Sequence, residues 1–236
     1  MSKQFSTHLN LCDMEKEQAY KQLKDICTEA CHERQACKEG YKDMLAAENV
    51  GQMMAVWRKY LEDVVESKYV KIINRRLPEI YPSIKEEMNQ AGVYVNECPG
   101  NAQEFVVVIV TTQGVEKGTI INIHGHAKAY VLGRALVRAN DHSQVYCKVS
   151  PAFIHLHDDA YGYVSKGFTQ VYNNARLVTQ VNAVLYDQAI CEAHGGEIFA
   201  ISFKKIEAYG KAVVFADCER NVALHGEARF IPKENL

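Results

Sequence analysis

The chain has 236 residues, with 27 Lys+Arg against 29 Asp+Glu and a formal net charge of −2. That near-balance excludes the general basic signature of a nucleic-acid-binding domain and leaves room only for a local patch. A hydrophobic content of 47% is ordinary for a globular protein, and the length allows one or two domains.

No N-terminal apolar stretch with a charged flank is present, and no apolar run is long enough to span a membrane. The eight Cys then read as thiols in a reducing compartment, so a cytoplasmic location is expected.

Residues 1–12 read as a lead-in. Asp13 can cap a helix that runs through a Glu/Lys/Gln/Ala-rich stretch to about Ala36. Gly40 is expected to break it, and a short helix continues from Tyr41 to Ala47. Asn49 caps the next helix, in which Met53, Val56, Trp57, Tyr60, Leu61, Val64 and Val65 recur at helical spacing. Pro78 and Pro82 read as a turn. Ser83 with Glu86 has the form of a capping box, opening a helix that Gly92 ends. Val93–Val95, the run from Phe105 to Val110 and Thr119 to Ile123 read as strands. The expected fold class is therefore α+β: a helical domain over residues 1–92, then a β domain over 93–236.

The β domain repeats. Units of the form small-x-apolar-x-small start at Ala127, Ala135, Ser143, Ala152, Ala160, Thr169, Ala175, Ala183, Ala189, Gly196, Lys204, Ala212, Arg220 and Ala228. Two residues after each start stands a non-polar residue, from Ala129, Val137 and Val145 to Val214, Val222 and Phe230. Alternation inside each unit gives a short strand with one inward face. An octad is too short for a helix-pair repeat, and stacked octads bury a core by covering one another. The reading is a β-solenoid of fourteen octads, two per turn and about seven turns, with three octads per turn as the competing geometry. The mostly Ala start column predicts a narrow interior.

Units such as Gly125-His126-Ala127-Lys128-Ala129-Tyr130 and Gly210-Lys211-Ala212-Val213-Val214-Phe215-Ala216 resemble octads in small proteins of Bacteroidota and their prophages, which often carry a helical N-terminal region. The resemblance covers roughly residues 93–231. It implies the solenoid fold and, by analogy, a phage-type inhibitor of a host or defence protein.

Under two octads per turn, the outward positions of alternate units share one flat face. It carries Leu136, Arg138, Phe153, His155, Tyr172, Tyr186, Phe199 and Phe215. Such an aromatic face is not left to water without purpose. The N-terminal helices or the 93–123 strands could cover it, or a second copy giving a homodimer, or a foreign protein partner.

Three further clusters carry chemistry. His126, His142 and His157 or Asp159 would stack along one edge, where a polar turn ladder is expected and a metal-dependent hydrolytic site is the alternative. Cys12, Cys27, Cys31, His32 and Cys37 have zinc-ligand residue types, but Cys27 and Cys31 stand one helical turn apart, as buried thiols would. Lys68, Lys71, Arg75 and Arg76 form the compact basic patch, a solvated helix end or else an RNA or DNA contact. No phosphate-binding Gly loop, nucleophile elbow or catalytic triad context is visible, and no cofactor is expected. The function expected is a non-enzymatic protein-interaction module.

Overall fold

The computed structural model describes residues 16–33, 38–65, 70–102, 106–113 and 115–235. Four helices come first: α1 (Lys16–Glu33), α2 (Lys38–Ala46), α3 (Val50–Val65) and α4 (Val70–Gln90). Asn49 caps α3 as expected, its Oδ1 accepting the Gln52 N–H at 2.9 Å, and Gln52 Oε1 accepts the Glu48 N–H at 2.7 Å. Leu23, Ile26, Met44, Met53, Trp57, Ile73, Leu77 and Ile80 fill the helical core.

Three expectations fail here. Gly40 lies inside α2 because the Tyr60 ring packs over it; a Cβ there would stand 3.1 Å from Tyr60 Cδ2. Pro78 and Pro82 likewise sit inside α4, which bends at Ile84 (φ −128°, ψ 15°) instead of stopping. Proline removes one helical N–H and crowds the preceding turn, so a kink is its usual result when packing holds both halves in place. The Ser83 capping box does not form: Ser83 Oγ is buried without a partner among the described residues.

Seventeen strands follow, all paired in parallel, in two sheets. The nine-stranded sheet has β1 (Val93–Val95), β2 (Val107–Val110), β4 (Lys128–Val131), β6 (Gln144–Cys147), β8 (Tyr161–Val164), β10 (Arg176–Thr179), β12 (Ile190–Ala193), β14 (Lys205–Ala208) and β16 (Val222–Leu224). The eight-stranded sheet has β3 (Ile120–Ile123), β5 (Leu136–Ala139), β7 (Ala152–Leu156), β9 (Gly167–Val171), β11 (Ala183–Leu185), β13 (Glu197–Ala200), β15 (Val213–Ala216) and β17 (Arg229–Pro232). β1 and β2 are neighbours in one sheet; from β2 onward consecutive strands alternate between the sheets, which makes a flattened β-solenoid with two strands per turn. The fourteen octads are β4 to β17, and the three leading strands belong to the same coil, so the rod has about eight turns, not seven.

The interior is narrow and almost wholly apolar, built from Val137, Ile154, Ala183, Ile198 and Val214 of one sheet against Ala129, Val145, Leu177, Cys191 and Ile206 of the other. Passing from the eight-stranded to the nine-stranded sheet always takes eight residues, from Ile121 to Ala129 through to Val214 to Val222. From β4 onward the return arcs vary from six residues, Leu177 to Ala183, to nine, Val145 to Ile154.

Five of these crossings share one corner. Gly125, Asp141, Asp158, Asn173 and Asp187 all adopt positive φ, between 56° and 62°. Asn and Asp tolerate this conformation because their side chains bond the local backbone. Here they bond the neighbouring coil instead: Gly125 N–H donates to Asp141 Oδ2 at 2.9 Å, Asp141 N–H to Asp158 Oδ2 at 3.2 Å and Asn173 N–H to Asp187 Oδ2 at 3.1 Å.

The helices sit on the outer face of the nine-stranded sheet at its beginning. Val93, Val95, Val107, Ile109, Tyr130 and Leu132 belong to the helical core, so β1, β2 and β4 are buried on both faces. Asn74 of α4 fixes the junction, its Oδ1 accepting the Thr112 N–H at 2.8 Å, and Tyr81 donates to Glu97 Oε1 at 2.7 Å.

Candidate interaction surface

The outer face of the eight-stranded sheet has no helix against it among the described residues. In-register pairing divides it into lanes that run along the solenoid. The first lane carries Ile120, Leu136, Phe153, Phe168, Asn182, Glu197, Val213 and Arg229. The second carries Arg138, His155, Gln170, Val184, Phe199, Phe215 and Ile231. A third lies on the corner: His157, Tyr172, Tyr186 and Ile201, linked by backbone bonds from each to the coil before.

Tyr172 and Tyr186 were expected in register with Arg138, His155, Phe199 and Phe215; they are one lane over. The arcs entering β9 and β11 are short, so the units beginning at Thr169 and Ala183 are displaced by two residues. Thr169 and Ala183 occupy the column of Ile154 and Ile198, while Val171 and Leu185 pair one position further on.

Each lane is stacked within itself. His157 lies on Tyr172 with centroids 4.5 Å apart and planes 4° apart, and Tyr172 on Tyr186 at 4.7 Å and 3°. Phe199 lies on Phe215 at 4.7 Å and 9°, and Phe153 meets Phe168 at 6.2 Å, tilted by 57°. Coil spacing sets these distances, because parallel neighbours stand about 4.8 Å apart. The Tyr172 hydroxyl is tied to Gln170 Oε1 at 3.0 Å. Among the described residues four large hydrophobics are exposed, and three of them, Ile120, Phe153 and Ile201, lie on this face or its edge.

Arg138, His155 and His157 make the polar end of the face. Burial, then His157 and Arg138, hold the His155 imidazole below its ordinary pKa. Burial and then Arg138 do the same for His157, against a smaller upward pull from Asp158 and Asp187. His157 Nε2 is buried with no partner among the described residues.

The other clusters separate. His126 stacks on His142 at 5.3 Å, and Asp159 follows in that corner row, whereas His157 belongs to the Tyr172 stack on its other side. Among the described residues no group of three or more His, Cys, Asp or Glu is placed to hold a metal. Cys27 is buried in the helical core; Cys12 and Cys37, and the side chains of Cys31 and His32, lie outside the described residues. Lys71, Arg75 and Arg76 line a surface groove of about 400 Å³ with Ile72 and Glu29, and the Glu29 carboxylate opposes an anion there; Lys68 lies outside the described residues. Sequence reasoning missed one pair, Cys98 and His124, whose Sγ and Nδ1 stand 3.4 Å apart at the start of the solenoid. Burial raises the Cys98 pKa, which keeps the thiol protonated. Two loop residues 26 positions apart carry no local signal of their pairing. Cys147 and Cys191 lie in the solenoid core, their pKa values pushed up to about 12 by burial.

No helix among the described residues is long and apolar enough to cross a membrane. No protein-family model, curated protein or solved structure matches the chain.

Proposed function

We propose that this protein is a non-enzymatic protein-interaction module that docks a partner on the outer face of its eight-stranded sheet. The observation that carries the reading is the position of the helical domain. It covers the beginning of the opposite sheet, while Phe153 and Ile201 stand 61% and 54% exposed on a face that no helix covers among the described residues. Exposed apolar patches of this kind mark association sites. Ring stacking at 4.5–4.7 Å also leaves the aromatic faces occupied by one another, so the surface offers ring edges, with Phe215 itself only 8% exposed beside Phe199. Nucleobases and sugars are bound on free ring faces, whereas a protein surface packs against edges and aliphatic tips equally well. A phage-type inhibitor of a host or defence protein is the finer use that the octad resemblance suggests; that resemblance rests on the repeat units alone.

A photo-cross-linking amino acid at Phe153, compared with one at Tyr163 on the other sheet, tests the reading in cells. Protein adducts from position 153 that vanish with Phe168→Glu are expected. Adducts with nucleic acid, made instead from Lys71, Arg75 or Arg76, would overturn it in favour of RNA or DNA binding.

A further inference from the structure

We infer that the occupant of this face is a second copy of the same chain, packed face to face with the two solenoid axes antiparallel; the inference rests on the docking reading above. The first argument is charge. The first two lanes carry only three formal charges: Arg138 on β5, Glu197 on β13 and Arg229 on the last strand. Arg138 is exposed, and so is Glu197, whose Oε2 has only a 3.5 Å contact with Asn182. β5 and β13 are equally far from β9, two strands away on either side. A two-fold axis running along β9 therefore brings β5 of one copy over β13 of the other, twice. Each Arg138 then faces the neighbourhood of Glu197 in the second copy, and Arg229 falls outside the overlap. A parallel arrangement places Arg138 near Arg138 and loses both pairs.

The second argument is shape and area. A face built from in-register strands is flat and equally wide along its length, so it matches its own rotated image. Seven overlapping strands about 4.8 Å apart and about 20 Å wide, corner lane included, cover about 650 Å² per copy and about 1,300 Å² in all. That is the lower end of specific interfaces, and the expected dimer is reversible, with a dissociation constant of about 1–100 µM. The axis sets Phe168 against its own copy at the centre, where apolar contacts contribute most. Arg138 and Glu197 lie four strands apart, about 19 Å, towards the rim, where charge sets orientation.

Sedimentation velocity across that concentration range, with circular dichroism as the folding control, tests the arrangement. The expected result is a monomer–dimer equilibrium that Phe168→Glu abolishes, because the axis along β9 sets the two new carboxylates against each other. Arg138→Glu and Glu197→Arg should each weaken it about tenfold, and the double charge swap should restore it, since swapping both ends recreates both pairs. A dimer indifferent to the charge reversals overturns the antiparallel arrangement. A protein that stays monomeric throughout overturns the inference while leaving the face for a different protein. A dimer that survives Phe168→Glu is held by another surface and overturns the inference, while the cross-linking above still decides the docking reading.

Discussion

Leu156 occupies the space that Gly162 leaves across the narrow interior: a Cβ on Gly162 would lie 2.6 Å from Leu156 Cδ1. Both residues are buried in the solenoid core, one at the end of β7 and one in β8. Every other residue of the Gly162 column carries a side chain, from Ala129 and Val145 to Leu177 and Cys191. The glycine is therefore a matter of volume, not of backbone conformation. Gly162→Val should cost about 1–3 kcal/mol through overpacking. Adding Leu156→Ala should recover part of that cost, although Leu156→Ala alone costs about 2–5 kcal/mol by leaving a cavity. Urea denaturation of the four proteins measures the coupling, and strictly additive losses would refute the contact.

Thr169 and Thr179 are both buried, yet substitution by Val should move stability in opposite directions. Thr169 stands in an apolar column, between Ile154 and Ala183, and its Oγ1 is buried without a partner among the described residues. Thr179 Oγ1 lies 3.1 Å from the Val164 and Val181 carbonyl oxygens and accepts the Val181 N–H at 3.1 Å. Removing an unsatisfied hydroxyl at constant volume should stabilise by about 1 kcal/mol, and removing a satisfied one should destabilise by about 1–2 kcal/mol. Thermal unfolding of Thr169→Val and Thr179→Val checks the pair. Equal shifts would mean that Thr169 is hydrogen-bonded in solution.

Thr169 also shows why the solenoid was legible while its lanes were not. Alternation has a period of two, so a displacement of two residues leaves every side chain on its correct face. The inward residues of β9 and β11 could thus be recognised, with Val171 and Leu185 placed one position early. Nothing local marks an arc of six or seven residues in place of eight. The inward Ala and Val columns were legible because burial repeats at every coil. The course of α4 was not, because Pro78 and Pro82 are local signals for a break. What holds them in one kinked helix is tertiary, including the burial of Leu77, Ile80 and Ile84. The position of the helical domain had no sequence signature either, since Val93, Val107 and Tyr130 meet it across distant parts of the chain.

Asp158 should be the most sensitive rung of the constant corner. It combines φ 57° with a 3.2 Å bond from Asp141 N–H and a 2.9 Å bond from Asn173 Nδ2. Asp158→Asn keeps the left-handed tolerance and an acceptor oxygen, and should cost less than about 0.5 kcal/mol. Asp158→Gly keeps only the backbone freedom, and should cost about 1 kcal/mol. Asp158→Ala loses both and should cost about 2–3 kcal/mol. The order Asn, Gly, Ala in chemical denaturation is the test; Ala and Gly behaving alike would show that the positive φ contributes nothing.

His155 and His157 should make the protein lose stability in acid. Both imidazoles titrate below the ordinary value in the folded chain, burial being the first cause and Arg138 a further one. In the unfolded chain both return to about 6.5. Between the folded value and about pH 6.5 the unfolded state therefore binds more protons, so stability rises with pH across that window. The favourable contribution is complete above about pH 6.5 and is lost as pH falls through the window towards the folded values. Denaturation midpoints should hold steady from about pH 8 to 7 and then decline. Proton NMR should show the two imidazoles titrating below the ordinary imidazole value. Arg138→Gln removes the cation that both residues feel and should move both titrations upward, flattening the decline. An Arg138→Gln protein whose His155 and His157 titrate as before would show that Arg138 points away from the face, and would remove the cation on which its polar end depends.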